Sequence, residues 1–282
     1  MSTTHLVDGA ALAARLGDPQ WRIVDCRFDL GDPGAGRRAY DAAHIPGAVH
    51  ADLDHDLAGA KTGRNGRHPL PDPQRLVERL CEWGIGDSTR VVAYDAHGAS
   101  FAARLWWLLR WLGHGSVAVL DGGWTAWVAE GRATDATAVS PPRASFSRRP
   151  PLERHLDAAE MERRRRDPAW LVLDARAPER YRGAVEPIDP VAGHIPGAVN
   201  RCWQANLADG RFKSAATLRR EYEDLLRGRP ADRVVASCGS GVTACHDLLA
   251  LQVAGLGGGA LYAGSWSEWC ADPDRPVATG DS

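Results

Sequence analysis

The chain has 282 residues, 44% of them hydrophobic and 25% charged, with a formal net charge of -2. That length suits two domains, each burying its own core, and the near-neutral charge excludes the basic field a polyanion binder needs, so no nucleic-acid partner is expected. No apolar run approaches the ~18 residues of a membrane span, and Met1-Ser2-Thr3-Thr4-His5 lacks the charged and apolar regions of a signal peptide, so no membrane partner and a cytoplasmic location are expected.

In chain order, Asp8 can cap a helix carrying Leu12 and Leu16 ahead of a strand from Trp21 to Asp25. Asp72, with Pro73 at the first helical position, starts another helix that Gly84 ends. A strand through Val91-Val92-Ala93 follows, and then a periodic apolar segment whose tryptophans, Trp106, Trp107 and Trp111, read as core. The stretch Pro141 to Pro151 is too proline-rich for a helix or a central strand and reads as an extended linker. Beyond it, Asp157 and Glu160 have capping-box spacing, and Arg163-Arg164-Arg165-Arg166 reads as the solvated, dipole-favoured end of that helix. Ser214 precedes a helix bearing Leu218, Tyr222 and Leu225.

The chain is written twice. His44-Ile45-Pro46-Gly47-Ala48-Val49 recurs as His194-Ile195-Pro196-Gly197-Ala198-Val199, each copy following an apolar strand that ends in aspartate. Arg90 to Asp95 aligns with Arg233 to Cys238, and Gly122-Gly123-Trp124 with Gly264-Ser265-Trp266, in one order at nearly constant offset. Alternating strands and helices predict an α/β class fold. Two tandem domains are expected, each a mainly parallel sheet with helices on both faces: a non-catalytic copy over 1–138, a linker over 139–151 and a catalytic copy over 152–282.

Cys238-Gly239-Ser240-Gly241-Val242-Thr243 stands between the apolar run Val234-Val235-Ala236 and a helical segment. A thiol at a strand-to-helix turn meets unpaired amide N–H groups and the positive end of the helix dipole, which makes Cys238 the nucleophile candidate. The first copy has Asp95 at that position, so only the second can carry thiol chemistry. The other cysteines, Cys26, Cys81, Cys202, Cys245 and Cys270, lack CxxC spacing; no disulfide framework and no metal site are expected, and Cys245 reads as core. His44 and His194, kept in both copies, read as parts of the shared turn.

The two HIPGA motifs, the tandem arrangement and the Cys238 loop together resemble the tandem-domain rhodanese family, over nearly the whole chain, and the loop is similar to that of its 3-mercaptopyruvate sulfurtransferase branch. The resemblance implies an enzyme, a sulfurtransferase without cofactor, that takes sulfane sulfur from a small-molecule donor as a persulfide on Cys238. The sulfur then passes to a thiol or cyanide acceptor, a thioredoxin-like reductant being one candidate. It assigns the outer sulfur to the amides of residues 239 to 243, hence Gly239, Gly241, Val242 and Thr243 as binding residues, and Arg180, ahead of Arg176 or Arg182, to the donor's carboxylate. It also implies a proton relay of Ser240, His68 and Asp54, with Asp52 as the alternative partner of His68.

One position departs from the branch. Where a second carboxylate-binding arginine is expected after Glu186-Pro187 the chain has Ile188-Asp189, so either Arg182 or another arginine compensates, or the donor differs. A thiosulfate sulfurtransferase and a non-catalytic rhodanese-fold binding protein are the alternatives. A cysteine phosphatase of related fold needs an arginine six positions after the thiol, and that position is Ala244.

Overall fold

A computed structural model of the chain describes residues 4–281. It contains two compact units. The first comprises the residues through Gly59, Leu70–Leu152 and Asp209–Arg211; the second comprises Ala60–Pro69, Glu153–Ala208 and the residues from Phe212 onward. The excursion Ala60–Pro69 therefore belongs to the unit that carries Cys238, although in sequence it interrupts the first copy.

The first unit runs β1 (Leu6–Val7), α1 (Gly9–Ala13), β2 (Trp21–Asp25), α2 (Ala35–Ala42), β3 (Val49–His50), α3 (Pro73–Glu82), β4 (Arg90–Tyr94), α4 (Ala102–Trp111), β5 (Val117–Leu120) and α5 (Gly123–Ala129). Its sheet has the order β1-β5-β4-β2-β3, every pairing parallel. The caps form as the sequence predicts: Asp8 accepts from the Ala11 N–H at 2.7 Å, and Asp72 from those of Gln74 and Arg75 at 2.9 and 3.0 Å. Ile23, Val92, Tyr94 and Leu120 turn to one face and pack with Leu12, Tyr40 and Trp127 of α1, α2 and α5. The residues between them along the strands, Val91, Ala93 and Val119, point the other way and are equally buried, and α4 packs on β4 and β5. Trp106 and Trp107 on α4 are completely buried, each removing on the order of 200 Å² from water, about 5 kcal/mol of transfer free energy. Residues 139–151 form neither helix nor strand and lie along this unit, where the Ala144 and Arg149 N–H groups donate to the carbonyls of Cys81 and Leu112.

The second unit holds β6 (Arg154–Leu156), α6 (Ala158–Arg166), β7 (Leu171–Asp174), α7 (Pro178–Tyr181), β8 (Ala198–Asn200), β9 (Leu207–Ala208), β10 (Arg211–Phe212, whose first residue falls in the other unit), α8 (Ala215–Leu226), β11 (Val234–Ser237), α9 (Ala244–Val253), β12 (Ala260–Tyr262) and α10 (Ser265–Trp269). Its parallel sheet, β6-β12-β11-β7-β8, repeats the topology of the first, as the duplicated motifs require. Leu218 and Tyr222 of α8 are buried, but Leu226 fills the core position expected of Leu225. The arginine block does end α6, though not wholly in solvent: the guanidinium of Arg164 lies 4.3 Å from the Trp170 ring and that of Arg165 5.7 Å from Trp269. From β7 the chain moves outward to β8 and then crosses back to β11 on the other side of β7. Such a reversal opens a crevice at the carboxyl ends of the strands, and the residue that leaves β11 there is Cys238.

Candidate active site

Cys238 follows β11 directly and is 2% exposed. The chain then turns so tightly that the N–H groups of Ser240 and Gly241 point back at Sγ, at 3.4 and 3.1 Å, while those of Val242 and Thr243 lie further on, where α9 opens. Gly241 makes the turn with φ of +74°, and a Cβ there would stand 2.3 Å from the Ala263 carbonyl oxygen, so no other residue fits. The loop's outward carbonyls are tied down too: Trp266 N–H donates to Cys238 O at 2.9 Å and Ser267 N–H to Gly239 O at 3.0 Å. The Cys245 thiol donates to Gly241 O at 3.3 Å, so the second cysteine braces the loop from inside the core.

The first unit has a turn at the corresponding place, one residue longer before its helix, and fills it with a carboxylate. Asp95, completely buried, accepts with Oδ1 from the N–H groups of His97 and Ala99 and with Oδ2 from Phe101 and Ala102, at 2.8 to 3.0 Å. Trp124 N–H holds Asp95 O at 2.8 Å as Trp266 holds Cys238. An internal carboxylate thus takes up amides of this turn, among them that of His97, the counterpart of Ser240.

Ser240 and His68 meet within the second unit: His68 Nδ1 lies 2.8 Å from Ser240 Oγ, with the side chains 2% and 6% exposed. Asp54 lies in the first unit, in a turn where the Asp52 carboxylate is occupied by the N–H groups of Asp54 and His55 at 2.8 and 2.9 Å.

Of the three neighbouring arginines, Arg180 reaches the loop. Its Nη1 and Nη2 come within 3.5 and 3.6 Å of where a Cβ on Gly239 would be. Arg176 instead is buried against Asp174, with Nε at 3.0 and 3.1 Å and Nη2 at 2.7 Å, repeating the Arg27–Asp25 pair of the first copy. Arg182 is more than a third exposed and faces Glu179 and Asp281. Ile188 points outward, 44% exposed.

Two residues that sequence reasoning passed over stand at this loop. Arg67, adjacent to His68, brings Nη2 to 3.0 Å of the same Gly239 position, donates through Nη1 to Asp189 at 2.5 Å, and is held by its own N–H on Ser267 Oγ at 2.9 Å. Burial keeps the Asp189 carboxyl above its ordinary pKa, outweighing the favourable charge of Arg67 and Arg180. Burial also opposes ionisation of Glu186, but its hydrogen bonds from Arg180 and from the amides of Ile188 and Asp189 win and hold it below the usual range. The second residue is Ser265. It sits at φ +53°, a region costly for a residue with a Cβ, where its hydroxyl accepts from Cys238 N–H at 3.0 Å, donates to Tyr262 O at 2.8 Å and lies 4.0 Å from Sγ. The signal for Ser265 was in the repeat, since its counterpart is Gly123, where a Cβ would meet Asp95 O at 2.3 Å. Arg67 left no comparable signal: the resemblance brings its neighbour His68 to Ser240 but assigns Arg67 no role, and the repeat has no counterpart of it.

His44 and His194 are structural in both copies: each is completely buried, stacks on a tyrosine (Tyr40 and Tyr181) at 4.0 and 3.8 Å, and holds that tyrosine's carbonyl through Nδ1.

The rhodanese-like domain model matches residues 8–130 and again 157–272. A Pseudomonas aeruginosa protein named "Probable 3-mercaptopyruvate sulfurtransferase" is 51% identical over the full length of both chains. A Mycobacterium tuberculosis protein named "Putative thiosulfate sulfurtransferase SseB" is 39% identical, covering 98% of this chain and 97% of its own. Among solved structures, the 3-mercaptopyruvate sulfurtransferase SseA from Escherichia coli superposes with a TM-score of 0.80 at 30% identity, over 94% of this chain and 99% of that one.

Proposed function

The chain belongs to the rhodanese family, two copies of whose domain make up most of its length, and from that premise we propose that it is a sulfurtransferase whose donor is 3-mercaptopyruvate. The Cys238 thiolate attacks the donor's thiol sulfur. The carbon–sulfur bond breaks, its electron pair passes to carbon as the enolate of pyruvate, and Cys238 is left as a persulfide. The enolate takes a proton and leaves as pyruvate. An acceptor thiolate or cyanide then attacks the outer sulfur, and Cys238 departs as thiolate, ready for the next cycle.

The observation that carries this reading is the Ser240–His68 hydrogen bond, 2.8 Å long, beside the sulfur. Releasing an enolate requires a proton at the moment the carbon–sulfur bond breaks, and a buried hydroxyl backed by imidazole is placed to supply it. Displacing sulfite from thiosulfate requires none. The amides of Ser240 and Gly241 lower the cost of negative charge on Cys238, and those of Gly239, Val242 and Thr243 are assigned to the outer sulfur of the persulfide. Arg180, with Arg67, takes the donor's carboxylate. Asp54 is assigned to orient His68, and its test is kinetic: Asp54→Asn should lower pyruvate release.

A thiosulfate donor is the second reading, favoured by the two guanidinium groups over Gly239, which also suit a sulfonate. Turnover of 3-mercaptopyruvate and thiosulfate by the wild type, Cys238→Ser and Arg180→Ala separates the two. Pyruvate formation and added sulfur mass on Cys238 are expected with the first donor; a clear preference for thiosulfate would overturn the assignment. All six cysteines are free thiols, which suits a reducing compartment such as the cytoplasm and an acceptor thiol, a thioredoxin-like reductant included.

A further inference from the structure

Arg67 and Arg180 reach the Cys238 loop from separate stretches of the second unit, one from the 60–69 excursion and one from α7. Two guanidinium groups brought together repel unless an anion stands between them. Asp189 is that anion: Oδ1 accepts from Arg67 Nη1 at 2.5 Å and Oδ2 from Arg180 Nη2 at 3.1 Å, with the carboxylate almost wholly buried. The turn that aims it inward is fixed by Glu186, whose Oε1 accepts the N–H groups of Ile188 and Asp189 at 3.1 and 3.0 Å and also the Nη2 of Arg180 at 2.7 Å. The bridge occupies only one side of each guanidinium. On the other side Arg67 Nε is buried without a hydrogen-bond partner among the described residues, and Arg67 Nη2 and Arg180 Nη1 stand 3.0 and 3.5 Å from the Cβ position of Gly239, next to the nucleophile.

We propose that Asp189 is a positioning residue that joins Arg67 and Arg180 into one clamp for the planar carboxylate of an α-keto acid, replacing the arginine that Ile188 lacks. The proposal deepens the reading of Cys238 as acting on 3-mercaptopyruvate and rests on it. Asp189 touches no substrate. Its carboxylate cancels the repulsion between the two cations and leaves N–H donors of both pointing the same way, toward Gly239.

The test compares the wild type with Asp189→Asn, Arg67→Gln and the double variant, in steady-state turnover of 3-mercaptopyruvate and in calorimetric binding of pyruvate. Each single variant loses a charged hydrogen bond at the clamp and should raise KM and weaken pyruvate binding about 10-fold or more, with kcat changed less than about threefold. The double variant should be no worse than the poorer single one, because both break one bridge. Asparagine keeps the shape of aspartate, and Arg67→Gln lies on a partly exposed side chain, so one of the two reports even if the other folds poorly. A purely structural role would lower Tm and leave KM alone. The pH profile gives a second readout. The groups facing Asp189 are Arg67, Arg180, Glu186 and the Cys270 thiol. When Asp189 takes up a proton the bridge weakens, so wild-type KM should climb as pH falls, and in Asp189→Asn that climb should vanish. An unchanged KM, multiplying losses in the double variant, or a lower KM in Asp189→Asn would overturn the proposal; the last would mean that Asp189 competes with the donor. Absence of wild-type turnover, with pyruvate binding still sensitive to Asp189, would instead reject the donor assignment and leave the clamp standing.

Discussion

Replacing Asp247 by asparagine should stabilise the protein most at and above pH 7, less at pH 5, and change it little near pH 4. Asp247 lies in the first turn of α9, the helix that carries the Cys238 loop, and is completely buried. Its Oδ1 accepts from Asn206 Nδ2 at 2.7 Å and, more loosely, from the Tyr222 hydroxyl at 3.3 Å, while Oδ2 has no hydrogen-bond partner among the described residues. Burial pushes its pKa from 3.8 up to about 7, against the smaller pull of Asn206, Arg201 and Tyr222. Between those two values the folded protein holds a proton that the unfolded chain has released, so stability falls as pH rises from about 4 to about 7 and stays low above that. At ~1.4 kcal/mol per pKa unit the ionised state is disfavoured by at most about 4 kcal/mol, and a gain of roughly 1–3 kcal/mol for Asp247→Asn at pH 8 is expected after relaxation. Asparagine preserves the acceptor for Asn206 and has no charge to bury. Urea unfolding of both proteins at pH 5, 6, 7 and 8 measures the difference. A gap that does not widen with pH, or a variant less stable than wild type at pH 8, would refute the reasoning.

Ser240→Ala and His68→Asn should each lower pyruvate release from 3-mercaptopyruvate by about 10²–10⁴-fold, the double variant being no slower, while thiosulfate-to-cyanide transfer changes far less; equal losses with both donors would remove the relay. Gly241→Ala should cost about 3 kcal/mol or more and abolish persulfide formation, since the left-handed turn and the Ala263 carbonyl leave no room for a methyl group; circular dichroism melts and mass spectrometry of the loaded protein check both parts. Asp95→Asn turns an acceptor oxygen into an N–H donor facing amide N–H groups, and should destabilise the first unit by about 2–4 kcal/mol in denaturant titrations without creating sulfurtransferase activity there.

The α/β class with a parallel sheet in each copy, the helix starts at Asp8, Asp72, Asp157 and Ser214, and the place of Cys238 at a strand-to-helix turn were all legible in the sequence, because each depends on neighbours a few residues apart. Helix and strand periods, capping oxygens and a strand-to-helix turn are local consequences of residue type. The duplication extended that reach: Cys238 in one copy against Asp95 in the other already said which half has a thiol at the strand-to-helix turn. What local pattern could not decide was which distant side chains converge. Ser240 and His68 are 172 residues apart, and Arg67 and Asp189 are 122 apart. Both pairs exist because Ala60–Pro69 leaves the first copy and folds into the second unit. Ile188 in the sequence therefore read as a missing half of a clamp. In the folded chain the residue beside it, Asp189, turns inward and recruits Arg67, since a buried carboxylate is stable only where cations meet it, and only tertiary structure brings them there.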